Sequence, residues 1–196
     1  MNCKKDFSGC QALFFGDSIT AYNQHYTKGY HRWVQELLGL ADYRNYGISG
    51  YEVHRVYQKV LQTQDTAELV CIMCGTNDVN HGIPFGTLSD RTPDTTCGAL
   101  HALCALLQER FPDATVVFIT PHYQERYIHP EGVTNGQIAD AILNICPNYG
   151  FPVYDCYRLS GIRHENLSEL TQDGCHWNDL GHALVGKKLA EFLQTI

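Results

Sequence analysis

The sequence predicts an α/β fold in which a five-stranded parallel sheet carries helices on both faces. Short apolar runs alternate five times with longer segments of helical periodicity, the pattern of strands joined by crossover helices. The 196 residues are 44% apolar and 18% charged, which is enough apolar material for a packed core. Because no repeat or linker divides the chain, we expect a single domain over residues 1–196.

The first half of the chain predicts three strands and two helices. Ala12 to Phe15 is an apolar run that ends at Gly16, which indicates a buried strand. Apolar residues recur at helical spacing within Tyr30 to Leu40 and predict the first helix. A weak strand, a helix and a strand rich in branched residues follow, at Arg44 to Tyr46, Val53 to Leu61 and Leu69 to Cys74.

The second half continues the alternation. Thr92, followed by Pro93 and Asp94, indicates a helix with proline at its first position, and this helix should end near Phe111. A strand, a helix, a short strand and a closing amphipathic helix follow, at Thr115 to Thr120, Ile138 to Ile145, Phe151 to Tyr154 and Leu180 to Leu193. Ligands bind such sheets beyond the carboxyl ends of the strands, so functional residues are expected there.

Charge and hydropathy disfavour several classes of partner. The chain has 14 basic and 21 acidic residues, a net charge of −7, and basic clusters no larger than pairs such as Lys4-Lys5. Binding to nucleic acid or to an anionic membrane surface is therefore disfavoured. No apolar run approaches the ~20 residues of a membrane-spanning helix, and the first ten residues lack a signal-peptide core. We expect a cytoplasmic protein without membrane insertion; its oligomeric state is left open.

The nine cysteines are expected to be buried thiols rather than disulfides. Cys71 and Cys74 have CxxC spacing, but positions three apart on a strand point to opposite faces, which disfavours a zinc site. Cys97 and Cys104 share one helical face, as core residues do. Cys175 lies between two polar candidate residues and would be reactive if it were exposed.

Polar segments follow the first three predicted strands, and another precedes the last helix. They are Gly16-Asp17-Ser18-Ile19-Thr20, Asn45-Tyr46-Gly47-Ile48-Ser49-Gly50, Gly75-Thr76-Asn77-Asp78 and Asp173-Gly174-Cys175-His176. Each segment alone has an ordinary explanation, such as a turn, a loop pair or a surface hydrogen bond. Their joint order and placement are much more specific.

Together these segments resemble the SGNH hydrolases, also called GDSL esterases, from residue 16 to the closing helix. The resemblance implies a flavodoxin-like three-layer α/β/α sandwich and a carboxylic ester hydrolase. It implies Ser18 as nucleophile, with Asp173 and His176 completing a catalytic triad. It also implies an oxyanion hole formed by Ser18, Gly50 and Asn77. The family often has proline after the histidine, where this chain has Trp177.

The chemistry of these residue types agrees with that interpretation. A serine hydroxyl needs an adjacent base, and an imidazole can take and return a proton near neutral pH. Asp173 would orient the ring of His176, and fixed N–H donors would stabilise the oxyanion. We expect the amide of Gly50 to approach the oxyanion closely because glycine has no side chain. Gly47 is interpreted as a turn residue, and Asp17 as the side chain that holds the nucleophile loop.

Aromatic and imidazole side chains in the predicted loops favour a small acyl ester, such as an acetyl ester, of a polar alcohol such as a carbohydrate. These side chains are Tyr22, His25, Tyr26, Tyr51, His54, His81, His122 and Tyr123. The substrate-binding candidates are Asp17, Tyr22, Tyr51 and His122. No metal or cofactor is expected, because the metal-hydrolase and phosphate-loop motifs are lacking. The alternatives are a lysophospholipase- or thioesterase-type acyl hydrolase and a non-catalytic ligand-binding module; a flavin or nucleotide binder is disfavoured.

Overall fold

The fold is given by a computed structural model that describes residues 5–21 and 26–196. Five strands form one sheet in the order β2-β1-β3-β4-β5, and every neighbouring pair is parallel. The strands are β1 (Gln11–Gly16), β2 (Asp42–Gly47), β3 (Leu69–Met73), β4 (Thr115–Ile119) and β5 (Val153–Tyr154). The five-stranded parallel sheet predicted from the sequence is therefore confirmed.

Eight α-helices lie within the described ranges. They are α1 (Tyr30–Leu38), α2 (Val53–Gln62), α3 (Thr76–Asn80), α4 (Thr96–Arg110), α5 (Asn135–Ile145), α6 (Cys156–Leu159), α7 (Leu167–Leu170) and α8 (Asp179–Leu193). The short helices α3, α6 and α7 were not predicted, since a single turn carries too little periodicity. None of the helices in this part of the chain combines the length and apolar character needed to cross a bilayer.

The sheet separates two hydrophobic cores, because successive side chains of a strand point to opposite faces. Leu13 and Phe15 of β1 face a core closed by α2, α4 and α5, whereas Phe14 faces a core closed by α1 and α8. Cys71 and Cys74 likewise belong to different cores, in agreement with their expected directions. The arrangement is the predicted three-layer α/β/α sandwich.

Helix α4 begins three residues later than the proline signal predicted. Thr95 is its N-cap residue, and the Thr95 hydroxyl accepts a hydrogen bond from the amide of Gly98 at 3.1 Å. The Thr95 hydroxyl also donates to Asp90 at 3.0 Å, which holds the cap in place. The helix ends at Arg110, next to Phe111, as predicted.

Helix α5 begins at Asn135 rather than at Ile138. Thr134 and Gln137 form a capping box, in which each side chain bonds to the backbone amide of the other. The spacing of Thr134 and Gln137 is visible in the sequence, and that signal was missed because the apolar residues begin only at Ile138.

Candidate active site

The strand register places three candidate segments at one edge of the sheet. Gly16 of β1 pairs with Gly47 of β2 and with Met73 of β3, so these three strands end at the same level. Ser18 lies two residues beyond β1, and Gly50 and Asn77 lie three and four residues beyond β2 and β3. The parallel topology therefore gathers the three residues at the carboxyl edge.

A tight turn after β1 carries Ser18. The Asp17 carbonyl accepts hydrogen bonds from the amides of Thr20 and Ala21, at 3.2 and 2.9 Å. One carboxylate oxygen of Asp17 accepts from the amide of Ile19 at 2.9 Å. Asp17 is 1% exposed, and its contacts are consistent with the expected role in holding the loop. Its contact with substrate stays a prediction that this burial does not support.

Gly47 packs directly against this turn. A Cβ atom on Gly47 would lie 2.3 Å from the amide nitrogen of Ala21 and 2.6 Å from the carbonyl carbon of Thr20. The Asn45 side chain donates to the Thr20 carbonyl at 2.6 Å and joins β2 to the same turn. Gly47 is therefore more than a turn residue, because the backbone that carries Ser18 occupies the space of a larger side chain.

Ser18, His176 and Asp173 form a continuous chain of hydrogen bonds. The Oγ atom of Ser18 lies 2.8 Å from Nε2 of His176, and Nδ1 of His176 lies 2.7 Å from Oδ2 of Asp173. Oδ1 of Asp173 accepts hydrogen bonds from the amides of Cys175 and His176 at 3.1 and 2.8 Å. The carboxylate thus folds back on its own loop, and its second oxygen is aimed at the ring.

Arg126 contacts this chain of hydrogen bonds and was not predicted from the sequence. Its guanidinium forms an ion pair with Oδ2 of Asp173, the oxygen that also contacts His176. A backbone hydrogen bond of 3.1 Å from Glu125 to the Gly174 carbonyl holds the two loops together. Arg126 belongs to a long irregular segment, so no sequence periodicity links it to Asp173.

Gly50 adopts a left-handed backbone conformation, with φ +80°. Among the described atoms, an added Cβ would meet only Cε1 of His81, at 4.0 Å, which is an ordinary contact distance. The described protein atoms therefore leave room for a Cβ at Gly50, and the close approach of its amide to the oxyanion stays a prediction. The backbone conformation independently favours glycine.

Three hydrogen bonds hold the loop after β2 against helix α3. The side-chain amide of Asn77 donates to the Tyr51 carbonyl at 3.2 Å, and a carboxyl oxygen of Asp78 accepts from the amide of Val53 at 3.1 Å. At the end of α3, Nδ1 of His81 lies 2.5 Å from Oε1 of Glu52. The consecutive residues 51 to 53, which lead from this loop into α2, are thus fixed to the helix that carries Asn77.

Two fully buried carboxyl groups lie in these segments. Burial raises the pKa of Asp17 and that of Asp78 to about 7, although hydrogen bonds to each carboxyl group act in the opposite direction. Asp78 also accepts a hydrogen bond from the Thr96 hydroxyl at 3.1 Å, which connects it to α4. Both groups therefore titrate near neutral pH rather than near the usual aspartate range.

The remaining substrate-binding candidates have different outcomes. Tyr22 lies outside the described residues, as does His25. Tyr51 is half-buried beside Gly50. His122 is fully buried with its ring 5.0 Å from that of Trp177, and burial lowers the His122 pKa to about 3. The contact of His122 with substrate stays a prediction, and the burial of its ring does not support it.

Other aromatic and imidazole side chains from the predicted set form hydrogen bonds within the protein. Tyr26, His54 and Tyr123 contact Ala21, Gln58 and Glu125, respectively. Trp177, which follows His176, is fully buried and packs edge-on against Tyr30, with ring centroids 5.9 Å apart. The residue after the histidine therefore anchors its loop in the core between the sheet and α8.

The thiol of Cys175, between Asp173 and His176, is 1% exposed, and burial raises its pKa far above the ordinary range. Within residues 5–21 and 26–196, no three His, Cys, Asp or Glu side chains are grouped so that they could hold a metal ion.

The comparisons with known proteins find a matching sequence family and solved structures with a similar fold. The sequence model of the GDSL-like Lipase/Acylhydrolase family matches residues 14–184. A protein from Lactobacillus plantarum is 27% identical, with a TM-score of 0.85 and coverage of 95% of this chain and 97% of that one. No protein with curated annotation matches the sequence.

Two further solved structures share the fold. A possible lipase from Chitinophaga pinensis is 22% identical, with a TM-score of 0.80 and coverage of 94% of this chain and 98% of its own. An acetylxylan esterase from Geobacillus stearothermophilus is 23% identical, with a TM-score of 0.73 and coverage of 96% of each chain. These similarities cover nearly the whole of the sandwich.

Proposed function

Because this chain belongs to the GDSL-like lipase/acylhydrolase family, whose members are carboxylic ester hydrolases, we propose that it cleaves a small acyl ester of a polar alcohol through Ser18, His176 and Asp173. The observation that carries the proposal is the hydrogen-bonded chain from Ser18 to Asp173, with distances of 2.8 and 2.7 Å. This is the contact that a serine nucleophile needs with its base, and the base with the group that orients it.

In the proposed acylation step, Ser18 Oγ attacks the ester carbonyl while His176 Nε2 takes the hydroxyl proton. Asp173 keeps the other ring nitrogen protonated and stabilises the imidazolium that forms. His176 then gives its proton to the leaving alcohol, which departs and leaves an acyl group on Ser18. A water molecule activated by the same ring hydrolyses this acyl-enzyme.

The negative charge of the tetrahedral intermediate needs donors that are already in place. We assign the backbone amides of Ser18 and Gly50 and the side-chain amide of Asn77 to this role. An amide group has two N–H donors, so Asn77 can bond to the Tyr51 carbonyl with one and keep the other for the oxyanion. The bonds between α3 and the loop after β2 support this assignment because they fix Gly50 relative to Asn77.

The groups around the proposed site favour a polar alcohol over a lipid tail. Arg126 contacts Asp173 and His81 lies beside Gly50, with side chains that are 42% and 40% exposed, and Glu52 contacts His81. Long acyl chains are favoured by continuous apolar walls instead. An acetyl ester of a carbohydrate fits this surface, and the acetylxylan esterase with a similar fold is consistent with a substrate of that class.

The test compares the wild-type protein with Ser18→Ala. Both are assayed for hydrolysis of acetylated sugars, of nitrophenyl esters of increasing chain length and of lysophospholipids. We expect turnover of short esters that Ser18→Ala abolishes, and covalent labelling of Ser18 by a fluorophosphonate. Saturable ligand binding without labelling would instead indicate a binding module, and a preference for long chains would contradict the proposed substrate class.

A further inference from the structure

A second imidazole–carboxylate pair lies beside the proposed oxyanion hole. His81 is the residue after α3, and its Nδ1 atom is 2.5 Å from Oε1 of Glu52. Glu52 is held on its other oxygen by Arg55, at 3.2 Å. The side chain of Glu52 is 12% exposed whereas that of His81 is 40% exposed, so a buried anchor orients a ring that reaches solvent.

The ring of His81 faces Gly50. Of its atoms, Cε1 lies nearest to the position that a Cβ of Gly50 would occupy, at 4.0 Å. Cε1 is bonded to both ring nitrogens. Nδ1 contacts Glu52, and the second nitrogen, Nε2, is one bond away from the ring atom nearest to Gly50. The backbone amide of His81 bonds to the carbonyl of Asn77 at 2.8 Å, which ties the ring to the helix of the proposed oxyanion donor.

We infer that Nε2 of His81 binds a free hydroxyl on the carbon next to the ester, so that the substrate is a partly acylated polyol. The inference rests on the proposed ester hydrolase function and assigns its substrate class. A hydroxyl both donates and accepts hydrogen bonds, so it fits the imidazole in either protonation state. A fully acylated polyol or a simple alkyl ester offers no such donor.

The loop that carries Gly50 does not depend on His81 alone. Asn77 still bonds to the Tyr51 carbonyl and Asp78 to the Val53 amide when the imidazole is removed, and Glu52 keeps its contact with Arg55. A substitution of His81 should therefore change recognition of the alcohol more than it changes the proposed oxyanion hole.

The experiment compares two esters that differ by one hydroxyl, the monoacetate of a vicinal cyclohexanediol and cyclohexyl acetate. For the wild-type protein we expect kcat/KM to be higher for the diol monoacetate by roughly five- to tenfold, the size of one neutral hydrogen bond. His81→Phe should reduce this ratio to about one, and the ratio separates the loss of the hydroxyl contact from any general effect of the substitution on ester hydrolysis. His81→Gln, which can still donate and accept, should keep part of the ratio.

His164→Phe is the matched control. His164 also pairs with a glutamate, Glu125, at 2.5 Å, and its side chain is 73% exposed. This variant should keep the wild-type ratio. An equal loss on both esters in His81→Phe, or a wild-type ratio near one, would overturn the inference while leaving Ser18-dependent ester hydrolysis intact. If the wild-type protein hydrolyses neither of the two esters, or if activity survives Ser18→Ala, the proposed function is overturned and the inference with it.

Discussion

Arg126 and His176 contact the same carboxylate oxygen, Oδ2 of Asp173. A carboxylate beside an imidazole stabilises its protonated form, and a guanidinium on that carboxylate offsets part of the effect. Of the charged and titratable groups in the surrounding loops, Asp17, His122 and Cys175 are buried, whereas Glu125 is 43% exposed and pairs with His164. Arg126 is itself 42% exposed, so its charge can be removed with little change to the core.

We expect Arg126→Met to move the acid limb of the kcat/KM profile to higher pH by roughly half a unit, because the unscreened carboxylate favours the imidazolium. Arg126→Lys should keep the wild-type limb, and high salt should bring the wild type towards Arg126→Met. The measurement is a pH–rate profile with a short-chain ester at two ionic strengths. An acid limb that stays in place in Arg126→Met would show that the ion pair does not tune the base.

Asn77→Ala should lower kcat by about a hundred- to a thousandfold with little change in KM, because the lost donor acts on the charge of the transition state. The substitution also removes the hydrogen bond to the Tyr51 carbonyl, so thermal unfolding is measured in parallel. A small shift in Tm with a large loss of kcat supports the donor role. A loss of activity that follows unfolding alone would contradict it.

Gly47→Ala should destabilise the nucleophile turn and lower activity by at least roughly tenfold, since its Cβ would overlap the backbone of Thr20 and Ala21. Gly150→Ala is the matched control. Gly150 has a φ of +80° but no described atom within 4 Å of an added Cβ, so the control adds backbone strain without a clash. Both variants should unfold at lower temperature, whereas only Gly47→Ala should lose activity in the folded state. Equal activity of the two would contradict a role for the close packing at Gly47.

Thiol reagents should leave the activity intact, because Cys175 is buried and its pKa is raised. Cys10 is the partly exposed thiol among the described cysteines and provides the internal control. Alkylation of the native protein followed by peptide mapping should modify Cys10 well before Cys175. Rapid modification of Cys175 with parallel inactivation would show that its loop opens in solution.

The sequence was informative where chemistry depends on short segments next to strand ends. Gly16-Asp17-Ser18 and the segments containing Gly50 and Asn77 each follow a strand within four residues, so parallel pairing alone brings them to one edge. Asp173 and His176 are three residues apart, and their mutual contact is local. Patterns of this kind are visible without knowledge of the packing.

The contacts of Arg126 and His81 could not be predicted in the same way. Each joins loops that are distant in sequence, and loop conformation leaves no apolar period to detect. The burial of His122 could not be predicted for a related reason, since a polar residue after a strand is expected at the surface, whereas the ring of Trp177 packs against this one. The contacts of Arg126 and His81 and the burial of His122 all depend on the assembled tertiary structure.

Asp78 should make the folded state less stable as pH rises. The ordinary pKa of its carboxyl is near 3.8, and burial, which disfavours the charged form, raises this pKa to about 7 in the folded protein. Below pH ~4 the carboxyl group is neutral in both the folded and the unfolded state, so its ionisation does not lower the free energy of unfolding. Between pH ~4 and ~7 the unfolded chain ionises first, so the free energy of unfolding falls, and the loss is complete above pH ~7.

Asp78→Asn removes this titration with little change in shape. The Asn carbonyl can still accept from the Val53 amide, and its NH₂ group can donate to the Thr96 hydroxyl, which also accepts hydrogen bonds. Urea unfolding at pH 5 and pH 8 should show that the variant gains stability relative to the wild type as pH rises, by on the order of a few kcal/mol. Parallel pH dependence in the two proteins would mean that Asp78 is ionised in the folded state, in which case the burial of its carboxyl would have to be offset by stronger hydrogen bonds than those to Val53 and Thr96.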